Sequence, residues 1–336
     1  MLYGFSVSLE SISKKQQQLD ALRPLPPDLV RNLEEWFLVE LTYTSNALEG
    51  NTLSRKETAT IVEKGLTVGG KTLVEHLEAS NHAKALKDVL RLSQASTSGL
   101  KLSDVLQIHE TVLRGIDDDN AGHIRAIPVR ISGSSVILPN PVKVPDMMET
   151  FIDWVVSNAR IHPVELAAEA HYQLVTIHPF VDGNGRTARL LMNLILMQNG
   201  YPPAIIRTRD RLKYITGLET VQLGGSKDGY NKLIEAAVDR SLNIYLKAAL
   251  GEVAAEGQER EPDLLRIGQL ASQTSESNAT IRYWTKEGLL HVADRTDSGY
   301  QLYHPSMIES VKKIRELQGQ RFTLNEIKVR LNSVDG

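Results

Sequence analysis

One short stretch of this 336-residue chain gathers side chains that do chemistry: His178-Pro-Phe-Val-Asp-Gly-Asn-Gly-Arg-Thr-Ala-Arg189. Gly183 and Gly185 flank Asn184, so the backbone can turn tightly and come close to a ligand. The strongly apolar run that follows, Thr-Ala-Arg-Leu-Leu-Met-Asn-Leu-Ile-Leu-Met, has a helical pattern. A glycine-containing turn that opens a helix leaves N–H groups free at the positive end of the dipole, which is an anion site. Arg186 and Arg189 are three residues apart and share one side of the first helical turn. Two guanidiniums beside an amide nest suit a polyphosphate better than a single carboxylate. Asp182, just before the turn, can hold a divalent metal that bridges phosphates, and His178 is a candidate general base.

The string resembles the signature of the Fic family, H-x-F-x-[DE]-G-N-G-R-x-x-R, at every fixed position. The resemblance implies transfer of AMP from ATP to a Ser, Thr or Tyr hydroxyl of a target protein, with Mg²⁺. It implies that His178 deprotonates the hydroxyl and that Asp182 helps to bind the metal. Gly183, Asn184, Gly185 and Thr187 would line the phosphates, and Arg186 and Arg189 would hold the β- and γ-phosphates. The residues alone reach a metal-assisted polyphosphate site. AMP transfer, as against phosphate transfer, comes only from the resemblance.

The elements that must position this stretch read as helices, at about 9–22, 28–47, 55–64, 72–94, 102–114, 146–158, 163–176 and 230–250. The second ends in Ser45-Asn-Ala-Leu-Glu49-Gly50, with Ser45 and Glu49 on one helical face. This is similar to the family's inhibitory motif, [ST]-x-x-x-E-[GN], which implies that Glu49 pairs with Arg189 and takes the place of the γ-phosphate. Ser54 and Glu57 have capping-box spacing. The helices between 55 and 114 offer no chemistry of their own and read as scaffold. The acidic run at Asp117–Asp119 lacks the spacing of a calcium loop and reads as a solvated loop.

Two β-branched runs around Gly133 read as a hairpin. By resemblance it is a flap that positions the target chain, with Arg130, Ile131, Ser132 and Gly133 bordering the nucleotide. Tyr214 and Gln222 would border the adenine, although Ile215 and Gln222 depart from the residues common there. His171 reads as a buried, hydrogen-bonded histidine, since no third ligand for a metal pair with His178 is visible.

An acidic, polar stretch at 251–262 reads as a linker. Beyond it, two short helices around a polar turn and a small wing resemble the DNA-binding head of MerR-type regulators, a winged helix-turn-helix. The resemblance places Thr280, Arg282 and Tyr283 on a recognition helix and Arg295 and Tyr300 in the wing. Lys and Arg only modestly outnumber Asp and Glu between 264 and 330, so binding to protein is as open as binding to DNA.

Composition bounds the rest. The chain carries 38 Lys and Arg against 41 Asp and Glu, which gives no overall nucleic-acid or membrane footprint. There is no cysteine, which excludes disulfides and thiolate zinc sites. No apolar run reaches membrane-spanning length, so a cytoplasmic location is expected. The expected architecture is mainly α: an N-terminal helical region at 1–99, a Fic domain at 100–250 with a hairpin flap, and a winged module at 263–336. Self-modification, removal of AMP, another nucleotide donor, a homo-oligomer, and a DNA-binding regulator with a nucleotide-sensing pocket all remain open.

Overall fold

The computed structural model describes residues 8–94, 99–131, 134–252, 264–295, 301–320, 322, 324 and 326–327. By contacts the chain divides into two compact units, Met1–Val129 with Val136–Ala254, and Arg130–Ser135 with Ala255–Gly336.

The first unit is helical among the described residues. Its helices are α1 (Leu9–Ala21), α2 (Pro27–Leu48), α3 (Arg55–Lys64), α4 (Leu73–Gln94), α5 (Leu102–Leu113), α6 (Val144–Ser157), α7 (Pro163–Ile177), α8 (Asn184–Gln198), α9 (Arg211–Gln222) and α10 (Asp228–Ala249). Sequence signals set many of the ends. Ser8 caps α1 by accepting Ser11 N–H. Ser54 and Glu57 form the expected capping box on α3, which ends at Gly65 in the left-handed region (φ 64°).

The axis of the unit is the α7–α8 pair. Twelve of the fifteen α8 residues are buried, so this helix runs through the core instead of lying on it. Leu191, Leu194 and Ile195 of α8 pack in one cluster with Ala167, Ala170 and Leu174 of α7 and with Phe37, Leu86 and Ile234 of the surrounding helices. Each such side chain contributes about 1.5–3 kcal/mol of burial. That cluster fixes the site, because α8 begins at the Gly-Asn-Gly turn.

The expected hairpin at 127–138 is corrected. No strand forms among its described residues. Ile127 and Ile137 are exposed, the latter at 95%, and an isolated two-stranded ribbon with no apolar partner is marginal in water. Its ends are tied by a side chain instead. The buried Arg125 guanidinium donates to Ile127 O at 3.1 Å and to Pro139 O at 2.8 Å. Ser132 and Gly133 lie outside the described residues.

The second unit holds strand β1 (Leu265–Arg266), helices α11 (Ile267–Thr274) and α12 (Asn278–Lys286), strands β2 (Asp294–Arg295) and β3 (Gln301–Tyr303), and α13 (Met307–Gly319). The sheet order is β1-β3-β2, all antiparallel, with Leu265 opposite Tyr303 and Asp294 opposite Leu302. Here too a reading is corrected: Leu265 and Arg266 extend the wing sheet and do not begin a helix. Leu270, Ile281, Trp284, Leu290, Tyr303 and Ile314 form a core of their own. Ser275 turns α11 into α12 with φ 57°.

Candidate active site

The turn between α7 and α8 is built from the backbone outward. His178 ends α7 in the left-handed region at φ 50°, a conformation costly for a residue with a Cβ. Pro179 follows and cannot continue the helix. Its carbonyl accepts Arg125 N–H at 2.9 Å, and Arg125 Nε donates to His178 O at 2.8 Å. Phe180 is fully buried and anchors the turn. The Asn184 amide clamps it reciprocally, accepting Phe180 N–H and donating to Phe180 O, both at 2.9 Å. Gly183 then caps α8 at φ 76°, with no side chain bonded to the first N–H groups of the helix.

His178 is set up as a base. Its Nδ1 lies 3.3 Å from Val175 O, and a carbonyl only accepts, so Nδ1 carries the proton. The lone pair is left on Nε2. Burial lowers the pKa from the usual 6.5; the Val175 bond, Glu49 and Asp182 push the other way, and the net shift is down. The ring is therefore neutral at pH 7.

Arg189 is held from four directions. Nε donates to Ser45 Oγ at 3.0 Å, Nη2 to Ser45 O at 2.9 Å and to Glu49 Oε1 at 2.6 Å, and Nη1 to Tyr214 Oη at 3.2 Å. Burial works against the charge of Arg189, and Glu49 more than reverses that. Burial likewise pushes the Glu49 carboxyl up, while Arg189, then Arg186 and Arg211, bring it below the usual carboxylate range. Glu49 is fixed at the end of α2, where Arg211 Nε donates to Leu48 O at 2.9 Å. A Cβ on Gly185 would collide with Glu49 Oε1, so the carboxylate lies directly over the glycine that opens α8.

Tyr214 is buried at 4% exposure, so it is not an open wall for a base. It heads a chain of hydrogen bonds that can run in only one direction. Arg189 only donates, so Tyr214 accepts from it and gives its proton to His171 Nε2 at 2.9 Å. His171 Nδ1–H then donates to Tyr230 Oη at 2.8 Å, and Tyr230 donates to Ala168 O at 2.9 Å. His171 is fully buried, as its sequence reading expected, and burial lowers its pKa to about 3. Gln222 lies at the far end of α9 and donates to Thr176 Oγ1 at 3.3 Å.

Arg186 is 2% exposed and sits between two carboxylates, Glu78 Oε1 and Asp182 Oδ2, each at 2.8 Å. The Asp182 side chain stays 64% exposed. Among the described residues no cluster of three or more metal-binding side chains occurs. Thr187 is fully buried, so its side chain is withdrawn from any ligand at the nest. Asn184 is likewise occupied by Phe180 and offers only its backbone. Arg130 and Ile131 belong to the other compact unit. In that unit Thr280 is half-buried on α12, Arg282 and Tyr283 are exposed there, and Arg295 is on β2. Tyr300 lies outside the described residues.

Sequence reading missed Glu78, Arg125 and Arg211, and it took α4 and α5 for bare scaffold. Their partners are backbone carbonyls or an arginine many residues away, and no local spacing announces such contacts.

Comparison with known proteins decides the family. Residues 99–196 match the Fic/DOC family model. Fic-1 of C. elegans (aa134–508) is 32% identical and superposes with a TM-score of 0.66, covering 72% of this chain and 72% of that one. The chain belongs to the Fic/DOC family. A Fic domain-containing signaling protein of Bacteroides thetaiotaomicron superposes equally well, TM-score 0.66 at 29% identity, over 72% of this Fic chain and 98% of that protein. "Protein adenylyltransferase Fic" of Nematostella vectensis is 35% identical over 258 residues, 76% of this chain and 59% of its own length. The chain thus spans only about half to three fifths of the curated relatives it matches. Residues 265–334 match the MerR HTH family regulatory protein model. No helix among the described residues is long and apolar enough to cross a membrane.

Proposed function

We propose that this Fic chain is a protein adenylyltransferase whose activity Glu49 restrains. The observation that carries the reading is the neutral His178, with Nδ1 tied off and Nε2 free, next to the uncapped start of α8. ATP is the donor and a Ser, Thr or Tyr hydroxyl of a protein, including this one, is the acceptor. The hydroxyl oxygen attacks the α-phosphorus and its proton passes to His178 Nε2. The bond from the α-phosphorus to the bridging oxygen breaks, and pyrophosphate leaves with its electrons. The N–H groups of Gly185 and its neighbours, with Arg186, hold the phosphate oxygens as charge develops.

Asp182 fits a Mg²⁺ that also bridges phosphates. Its carboxylate is mostly exposed, Oδ2 is taken by Arg186, and Mg²⁺ needs only one or two carboxylates beside substrate phosphates. When bound, that ion neutralises phosphate charge. The Glu49 carboxylate lies over Gly185 and on Arg189, so it competes with the terminal phosphate of ATP for the same donors.

The test is incubation with Mg²⁺ and ATP labelled at the α- or γ-phosphate. Protein-bound α-label that is strong in Glu49→Gly, weak in wild type and absent in His178→Ala supports the reading. Incorporated γ-label would replace AMP transfer by phosphate transfer, and no label in any variant with cell extract present would sink it.

A second reading concerns the winged module. The exposed Arg282, Tyr283 and Lys286 on α12 fit a DNA groove, with modest affinity for so few cations. DNA retardation that is lost in Arg282→Ala and unchanged in His178→Ala supports it; retardation indifferent to Arg282 removes it.

A further inference from the structure

One buried imidazole, on a helix whose sequence promised only scaffold, joins two segments that the proposed mechanism does not otherwise connect. His109 lies on α5 and is fully buried. Its Nδ1 is 2.9 Å from the backbone nitrogen of Gly122, in the acidic turn after α5. Its Nε2 is 3.0 Å from Asp182 O, in the signature turn. An amide N–H only donates and a carbonyl only accepts, so one tautomer satisfies both. Nδ1 accepts from Gly122 and Nε2–H donates to Asp182.

The ring also fixes the shape of the turn. It stacks on Phe180, with centroids 3.6 Å apart and planes 5° from parallel. It lies so close to Gly183 that a Cβ there would stand 3.3 Å from His109 Cδ2 and Nε2. Gly183 is the residue whose left-handed φ aims the first N–H groups of α8 outward. One imidazole therefore touches the anchor, the last carbonyl and the capping glycine of the nest. On its other edge it holds Gly122, itself left-handed at φ 74° and crowded by Glu110. The acidic turn is thus a built support on which the signature turn leans through His109.

We propose that His109 is a positioning residue for the polyphosphate of the nucleotide, setting the Asp182–Gly183 peptide so that the α8 N–H groups converge on it. The proposal rests on the reading of that nest as a phosphate site. His109 itself touches no substrate.

Two near-isosteres separate its two edges. In His109→Asn the side-chain oxygen stands where Nδ1 stood and keeps Gly122, while nothing reaches Asp182 O. In His109→Gln the terminal amide reaches Asp182 O and gives up Gly122. Peptide-resolved hydrogen exchange on the full chain reads both ties. His109→Asn should speed exchange in 180–186 about tenfold and spare 115–123, and His109→Gln should do the reverse. ATP affinity, measured by calorimetry with Glu49→Gly as parent, should fall about five- to tenfold with His109→Asn and stay within twofold with His109→Gln.

Equal changes in both segments for both variants, or ATP affinity that does not separate the two, would mean that the ring only fills space and would overturn the proposal. If the Glu49→Gly parent binds no ATP, the adenylyltransferase reading falls, and the exchange pattern alone then decides whether His109 sets the turn. A melting temperature lowered equally in both variants is expected under either view, so it is not the deciding measurement.

Discussion

Replacing Glu49 by glycine removes one carboxylate and leaves the guanidinium it touches in place. Arg189 keeps Ser45 Oγ, Ser45 O and Tyr214 Oη as neutral acceptors at 2.9–3.2 Å, so it should not collapse elsewhere. The lost contact is one charge-assisted hydrogen bond at 2.6 Å between a buried guanidinium and a carboxylate whose side chain is 38% exposed. A buried bond of that kind is worth about 1.5–3 kcal/mol, and partial exposure discounts it to about 1–2 kcal/mol. ATP must break this contact to reach Arg189. Its apparent dissociation constant in wild type is therefore raised by the closed-to-open ratio, about 5- to 30-fold. Calorimetric titration with ATP and Mg²⁺ should show Glu49→Gly binding tighter by that factor. Glu49→Gln, which keeps shape and loses charge, should fall between. The rate of α-label uptake should rise in the same order. Equal ATP affinity in all three proteins would refute competition at Arg189, whatever the labelling shows.

Further expectations follow from the same geometry. His178 has a lowered pKa, so the rate should be flat at neutral pH and fall only as pH drops through that lowered value, below 6.5; a profile that falls already above 7 would contradict a neutral base. His171 is buried neutral with a pKa of about 3 against about 6.5 unfolded, so unfolding takes up a proton between these values. Denaturant titrations should show this contribution complete above about pH 6.5 and fading towards pH 3, and His171→Gln should flatten that slope. Tyr214→Phe removes the acceptor of Arg189 Nη1 and the proton given to His171, and should cost about 1–2 kcal/mol of stability in chemical denaturation. Arg125→Met strips donors from His178 O, Ile127 O and Pro139 O; label uptake should drop at least tenfold while ATP affinity stays within threefold.

The sequence by itself determined the nest. Gly183, Asn184 and Gly185 before an apolar helical run, with arginines at the right spacing, dictate local backbone and a local dipole, and local physics needs no distant partner. It also determined the helix α2 and the shared face of Ser45 and Glu49, because four-residue spacing is a property of the helix alone. Only the tertiary structure decided what these groups meet. Packing α2 beside α8 puts Glu49 on Arg189, 140 residues away in sequence. Packing α4 there brings Glu78 to Arg186, and packing α5 brings His109 under Gly183. Tyr214 became a buried support of Arg189 because His171 and Tyr230 offered its hydroxyl a chain of partners. The β-branched flap residues had the propensity for strands and no apolar face to rest on, so Arg125 and backbone carbonyls set their path. Contacts of that kind depend on which helices pack together, and no window of neighbouring residues carries that information.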